Sequence, residues 1–143
     1  RYADEGVGTV ELALPAAKMA LEAAGIGPKD VDMILFATLS PQHNFPGSGV
    51  FLQRVLGMLE GDEPRFVPAM DIRNQCSGFL YGLQTATAMV QSGIHKHVLV
   101  VGAEKHSAAL DMTTRGRTVT SLFGDGAGAV ARTNRRFGVI VPF

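Results

Sequence analysis

One short run of apolar residues, Val31 to Leu39, is broken only by Asp32 and Thr38. It is strand-sized, and it is apolar at successive rather than alternate positions. That is the pattern of a strand covered on both faces, and such strands sit in sheets flanked by helices. Val98 to Gly102 repeats the pattern, and Phe66 to Ile72 supplies a further strand that ends just before Cys76. Helical spacing fills the intervals. Val10 to Ala24 carries Leu12, Ala16, Ala17, Ala20, Leu21 and Ala24 at helical intervals, with Gly25 as a stop. Val50 to Leu59 sets Val50, Phe51, Val55 and Met58 on one face. Ser77 to Gln91 is apolar almost all round (Phe79, Leu80, Leu83, Ala86, Met89, Val90) and is expected to be buried. Strands alternating with helices imply βα units around a mostly parallel sheet. Further on, Ala108 to Gly116 reads as a polar loop, Thr118 to Phe123 as a strand, Gly124-Asp125-Gly126 as a tight turn, Ala127 to Arg132 as a strand, and Gly138 to Phe143 as the start of another.

The 143 residues suffice for one domain with a core. Thirteen Lys and Arg balance thirteen Asp and Glu, and no basic run offers a footprint for nucleic acid. No apolar run is long enough to cross a bilayer as a helix, so no membrane partner is expected. A single cysteine cannot close an internal disulfide, and nothing points to an oxidising compartment. The first residue is Arg1 rather than Met, so the chain is expected to be part of a longer protein.

The lone cysteine, Cys76, stands in Asp71-Ile72-Arg73-Asn74-Gln75-Cys76-Ser77-Gly78-Phe79, between a strand and a long helix. A thiol attacks as its thiolate, and the positive end of a helix favours that form. Ser77 and Gly78 are small enough to let a carbonyl approach the backbone, where N–H groups can hold an oxyanion. Two readings stand at this point: an activated nucleophile, or a small buried thiol of the core. A nucleophilic cysteine needs a base, usually His. Of the four histidines, His95 and His97 flank Lys96 in a polar turn and read as solvated surface; a His-x-His pair can bind metal, but no third ligand of matching type is near. His43 and His106 could face a pocket, and neither is favoured by its spacing. The glycines of Phe123-Gly124-Asp125-Gly126-Ala127-Gly128-Ala129 form neither a phosphate loop nor a dinucleotide fingerprint, and they read as a turn that allows close packing.

Together, Asn74-Gln75-Cys76-Ser77-Gly78-Phe79, Val98 to Glu104, Thr114-Arg115-Gly116 and Phe123 to Ala129 resemble the β-ketoacyl-[acyl carrier protein] synthase III family of the thiolase superfamily. Cys-Ser-Gly-Phe is closer to that family than to elongating synthases, plant-type polyketide synthases or thiolases. The resemblance implies an α/β, thiolase-like fold, of which residues 1–143 are an incomplete N-terminal half. That half would have a mixed, mostly parallel sheet and a buried nucleophile helix, without the C-terminal half or the first N-terminal segment. In the family, a Trp of that first segment sandwiches adenine, and this chain has no Trp.

By the same resemblance Cys76 accepts an acyl group from acyl-CoA, Arg115 contacts the nucleotide end of CoA, and Phe45 reaches across a homodimer to close the partner's acyl pocket. The His and Asn that assist malonyl decarboxylation belong to the C-terminal half, and none of the four histidines here is given that role. The implied activity is initiation of fatty acid biosynthesis in the cytoplasm: an acyl-CoA starter condenses with a malonyl-acyl carrier protein, with no cofactor or metal. Arg73-Asn74-Gln75 and Ser77 keep open a specialised relative making a quinolone, polyketide or other secondary metabolite. The lack of a His/Asn pair keeps open a non-catalytic binding or dimerisation half.

Overall fold

The computed structural model describes residues 2–134 and the backbone of residues 141–142. Strand β1 (Met33–Ala37) is buried at every position, as its apolar run requires. It pairs in parallel with β2 (Ala69–Ile72) on one side and with β3 (His97–Lys105) on the other. Strand β4 (Asp125–Thr133) runs antiparallel to β3, and the short β5 (Val141–Pro142) runs antiparallel to β4. The sheet is therefore mixed, with order β2-β1-β3-β4-β5.

Among the described residues, four α-helices accompany it: α1 (Thr9–Ala24), α2 (Ser48–Val55), α3 (Gly78–Gln91) and the single turn α4 (Arg117–Thr120). Helices α1 and α2 cover one face, where Val10, Ala13, Ala17, Leu21, Leu52 and Met58 pack on Ile34, Phe36, Leu99, Val101 and Ala131. Helix α3 lies on the other face, against Met33, Leu35, Val98 and Val100. The chain steps from β1 through α2 to β2, then returns across β1 through α3 to reach β3. Reversing direction sends the second crossover to the opposite face, because both connections keep one hand. The sheet thus has a switch point between β1 and β3, where the crevice beyond the strand ends is the usual place for a ligand.

The expected burial of the nucleophile helix holds on one side only. Gly78, Gly82, Ala86 and Val90, four residues apart, form its buried stripe, while Leu80 and Tyr81 are 62% and 52% exposed. The small residues let α3 lie close to the sheet: a Cβ on Gly82 would stand 3.2 Å from Val100 Cγ1 and 3.3 Å from Ile72 Cδ1.

Two expectations are corrected. Thr118–Phe123 is not a strand: Arg117–Thr120 form α4, and Ser121 and Leu122 N–H groups donate back to Arg117 and Val119. Thr and Val favour strands when a pleated surface is there to pack against. Here Val119 and Leu122 are exposed, and the backbone closes on itself instead. Nor is Gly124-Asp125-Gly126 a turn, since β4 begins at Asp125, opposite Lys105. The side chain of Asp125 is held by Ser107 N–H and O–H and by Ala3 N–H, which fixes the strand start in register. Of the expected strand Gly138–Phe143, Val141 and Pro142 belong to β5, and the other positions lie outside the described residues.

Candidate active site

Cys76 is exposed in the turn that joins β2 to α3, directly before the Ser77 N-cap. The turn is closed by Gly78 N–H donating to Gln75 O at 3.3 Å, and Asn74 Nδ2 donates to Ser77 Oγ at 3.1 Å. The polar lead-in thus spends its side chain on shaping the helix start. Cys76 opens into a cavity of about 400 Å³, lined by Ala37 and Thr38 of the β1 end, Gln75 and Phe79 beside the thiol, Gly102 to Glu104 of β3, and Gly126 to Gly128 of β4. This is the crevice at the switch point. Its walls are mainly apolar, with a floor of strand backbone. Gly102 stands opposite Gly128 in the β3–β4 ladder, and a Cβ on Gly102 would come within 3.1 Å of the Phe79 ring. The arrangement suits a thiol that receives an uncharged chain: a reactive atom at the rim, an oily space below it, and N–H groups at a helix start.

Among the described residues, Glu104 is the one ionisable residue besides Cys76 lining this cavity. Its Oε1 accepts Leu39 N–H at 2.8 Å, and its Oε2 accepts Ser40 N–H at 3.0 Å and the Ser40 and Thr38 hydroxyls. His106 is stacked on Phe123 and stands 3.7 Å from the same carboxylate, outside the cavity lining. His43 packs on Phe51, and His97 Nδ1 meets Asp30 O at 2.9 Å. The structure brings none of the four histidines into the Cys76 cavity. Among the described residues, no cluster of three or more His, Cys, Asp or Glu is placed to hold a metal.

Arg115 is not in the cavity lining. Its side chain is 91% exposed and donates from Nε to Asp111 Oδ2 at 3.1 Å. The Thr113 hydroxyl and amide, and then Arg115, hold the Asp111 carboxyl below its ordinary value. The loop closes tightly here: a Cβ on Gly116 would lie 1.9 Å from Asp111 O, so only glycine fits. Phe45, 88% exposed, is likewise apart from Cys76 within this chain. It lies on a loop whose Asn44 meets Arg73 and whose far end is held by Asp71, which accepts Ser48 N–H at 2.7 Å and Gly49 N–H at 2.9 Å. Asp125, beside the site, is pushed up by partial burial. Ser107, Ala3 and Lys105 outweigh that and hold it below the usual carboxylate value.

Sequence reasoning passed over Glu104, Thr38 and Gly102. The available signal was position: all three stand at the carboxyl ends of neighbouring parallel strands, where a doubly wound sheet opens.

The sequence matches the family described as 3-oxoacyl-[acyl-carrier-protein (ACP)] synthase III over residues 70–138. A Brucella suis protein named beta-ketoacyl-[acyl-carrier-protein] synthase III is 45% identical over 128 residues, which cover 90% of this chain. This chain belongs to the β-ketoacyl-[acyl carrier protein] synthase III family. It spans 37% of the length of that relative. The crystal structure of the synthase III from Aquifex aeolicus VF5 superposes with a TM-score of 0.83 at 43% identity, covering 93% of this chain and 40% of the other. The priming β-ketosynthase of the R1128 polyketide pathway superposes at 0.80 with 29% identity, covering 100% of this chain and 38% of its own. The fold is thus the thiolase-like fold of synthase III enzymes.

Proposed function

We propose that this chain is the nucleophile-bearing N-terminal half of an acyltransferase. It would condense an acyl-CoA starter with a malonyl-acyl carrier protein through an acyl-cysteine and so initiate fatty acid biosynthesis. The observation that carries this reading is Cys76 at the start of α3, opening into a mainly apolar cavity at the switch point of the sheet. The thiolate attacks the thioester carbonyl, the oxyanion rests on backbone N–H groups at the helix start, and the CoA thiolate leaves. The malonyl thioester then loses carbon dioxide. Its carbanion attacks the acyl-cysteine carbonyl, forms the new carbon–carbon bond and expels the Cys76 thiolate. No metal or redox cofactor is needed at any step. The His and Asn that assist decarboxylation in the family are assigned to the C-terminal half of a longer protein.

Arg115 supplies an exposed cation for the phosphates of CoA, in exchange for its contact with Asp111. Phe45 is the anchor by which one copy closes the acyl cavity of another. Homodimerisation is supported by the same surface, since β2 is an edge strand and its own Met70 is exposed. The protein is assigned to the cytoplasm; among the described residues, no helix is long and apolar enough to cross a membrane. Incubation with radiolabelled acyl-CoA should label Cys76, and label that persists in Cys76→Ala would end this reading.

Similarity to the R1128 priming enzyme, together with Arg73-Asn74-Gln75 and Ser77 around the thiol, favours as second reading a specialised synthase III relative. A panel of acyl-CoA donors with malonyl-CoA and malonyl carrier protein separates the two. Strong preference for acetyl-CoA and the carrier protein excludes the specialised enzyme.

A further inference from the structure

We propose that Glu104 is a positioning residue for acyl transfer, holding the wall of the Cys76 cavity in its working shape; the proposal rests on the acyltransferase reading above. Glu104 ends the inward face of β3, opposite Gly126, and its side chain is 29% exposed. Four donors converge on it from three successive residues of the segment after β1: the Thr38 hydroxyl at 3.3 Å, Leu39 N–H at 2.8 Å, Ser40 N–H at 3.0 Å and the Ser40 hydroxyl at 2.5 Å. The polarity of this network is forced. Ser40 Oγ accepts Lys105 N–H at 2.7 Å and Thr38 Oγ1 accepts Ser40 N–H at 3.1 Å, so both hydroxyl hydrogens are free to point at Glu104. Every partner donates, and only a group with two accepting oxygens satisfies them all.

The clamp has a second anchor. Thr9 at the start of α1 donates its hydroxyl to Ser40 O, so the segment is gripped from the sheet and from the helix layer together. What it holds is the Thr38 wall of the cavity, one residue beyond Ala37, which stands across the β1–β3 boundary from Gly102. Acyl transfer needs the thioester carbonyl seated at the thiol with the chain in the cavity, and small displacements of a wall are costly in rate. A small alkylating reagent needs only an exposed thiol.

Glu104→Gln puts an amide NH₂ among donors while nearly preserving volume. In the full chain it should lower the rate of Cys76 labelling by radiolabelled acyl-CoA by about tenfold or more. Alkylation of Cys76 by iodoacetamide should stay within about twofold of wild type, and amide hydrogen exchange at Leu39 and Ser40 should accelerate. Glu104→Asp, which keeps both acceptors on a shorter stem, should recover part of the labelling rate. Ser40→Ala removes one donor and should show a milder form of the same split, which keeps the test alive if Glu104→Gln fails to fold. Labelling of Glu104→Gln at the wild-type rate overturns the proposal. Parallel loss of labelling and alkylation with a lowered melting temperature also overturns it, in favour of a purely structural role. If wild type itself takes no label, the acyltransferase reading falls, and unchanged exchange at Leu39 and Ser40 in Glu104→Gln removes the clamp as well.

Discussion

The two faces of the sheet are built to different standards. On one, α1 and α2 seal Ile34, Phe36, Leu99 and Val101 completely. On the other, α3 touches the sheet through a stripe of small residues and turns Leu80 and Tyr81 outward, with Cys76 and its cavity at the near end. The sealed face holds the fold; under α3 the sheet is equally buried, but this open face carries the exposed thiol and its cavity. The outer side of α3 is uncovered in this chain, which spans 37% of its Brucella suis relative's length.

The largest expected effect breaks the open face alone. Cys76→Ala should abolish acyl labelling while leaving the thermal midpoint almost unmoved, because an exposed turn residue supports no packing. On the sealed face the balance reverses. Phe36→Ala empties a fully buried site and should cost about 3–5 kcal/mol in urea unfolding, enough to unfold a marginal chain. A loss below about 1 kcal/mol would mean that this face is less tightly filled than its burial implies. Between these, Asp71→Ala strips two backbone N–H groups at the start of α2 of their acceptor and should cost about 1–2 kcal/mol by the same measurement.

Asp125→Asn sharpens the comparison through pH. The folded-state value of Asp125 is depressed, so its stabilisation is present above the unfolded value of about 3.9 and disappears as pH falls through the folded value. Urea unfolding should therefore show a gap of about 1 kcal/mol between wild type and Asp125→Asn near neutrality, closing only in strong acid. A constant gap across that range would mean that the Ser107 contacts do not depend on charge. The smallest effect is expected at Leu80→Ala, within about 0.5 kcal/mol for this chain. A larger loss would show that the outer side of α3 already has a partner.

Legibility in the sequence followed how locally each feature is determined. Strands β1 and β3 could be read because burial on both faces writes apolar residues at successive positions, as in Met33–Ala37. Helix α3 could be read from its spacing, but its half-open state could not. Residues such as Leu80 are apolar whether this chain or another segment covers them. Thr118–Thr120 misled because β-propensity records a preference for a pleated neighbour, and none is offered to them. At the site, the strand–thiol–glycine–helix order around Cys76 is written in consecutive residues. The clamp at Glu104 is not, because its donors lie more than sixty positions away, and an acid at a strand end looks like any other polar terminus until β1 and β3 are side by side.

Gly102 and Gly128 face one another across the floor of the cavity, with the Phe79 ring against Gly102. A single nucleotide change, from glycine to alanine, would be felt at this contact. A methyl group at Gly102 would stand 3.1 Å from the Phe79 ring, which also lines the cavity, so the ring would have to give way. The shape of this cavity is set as much by two side chains that are missing as by those that surround it.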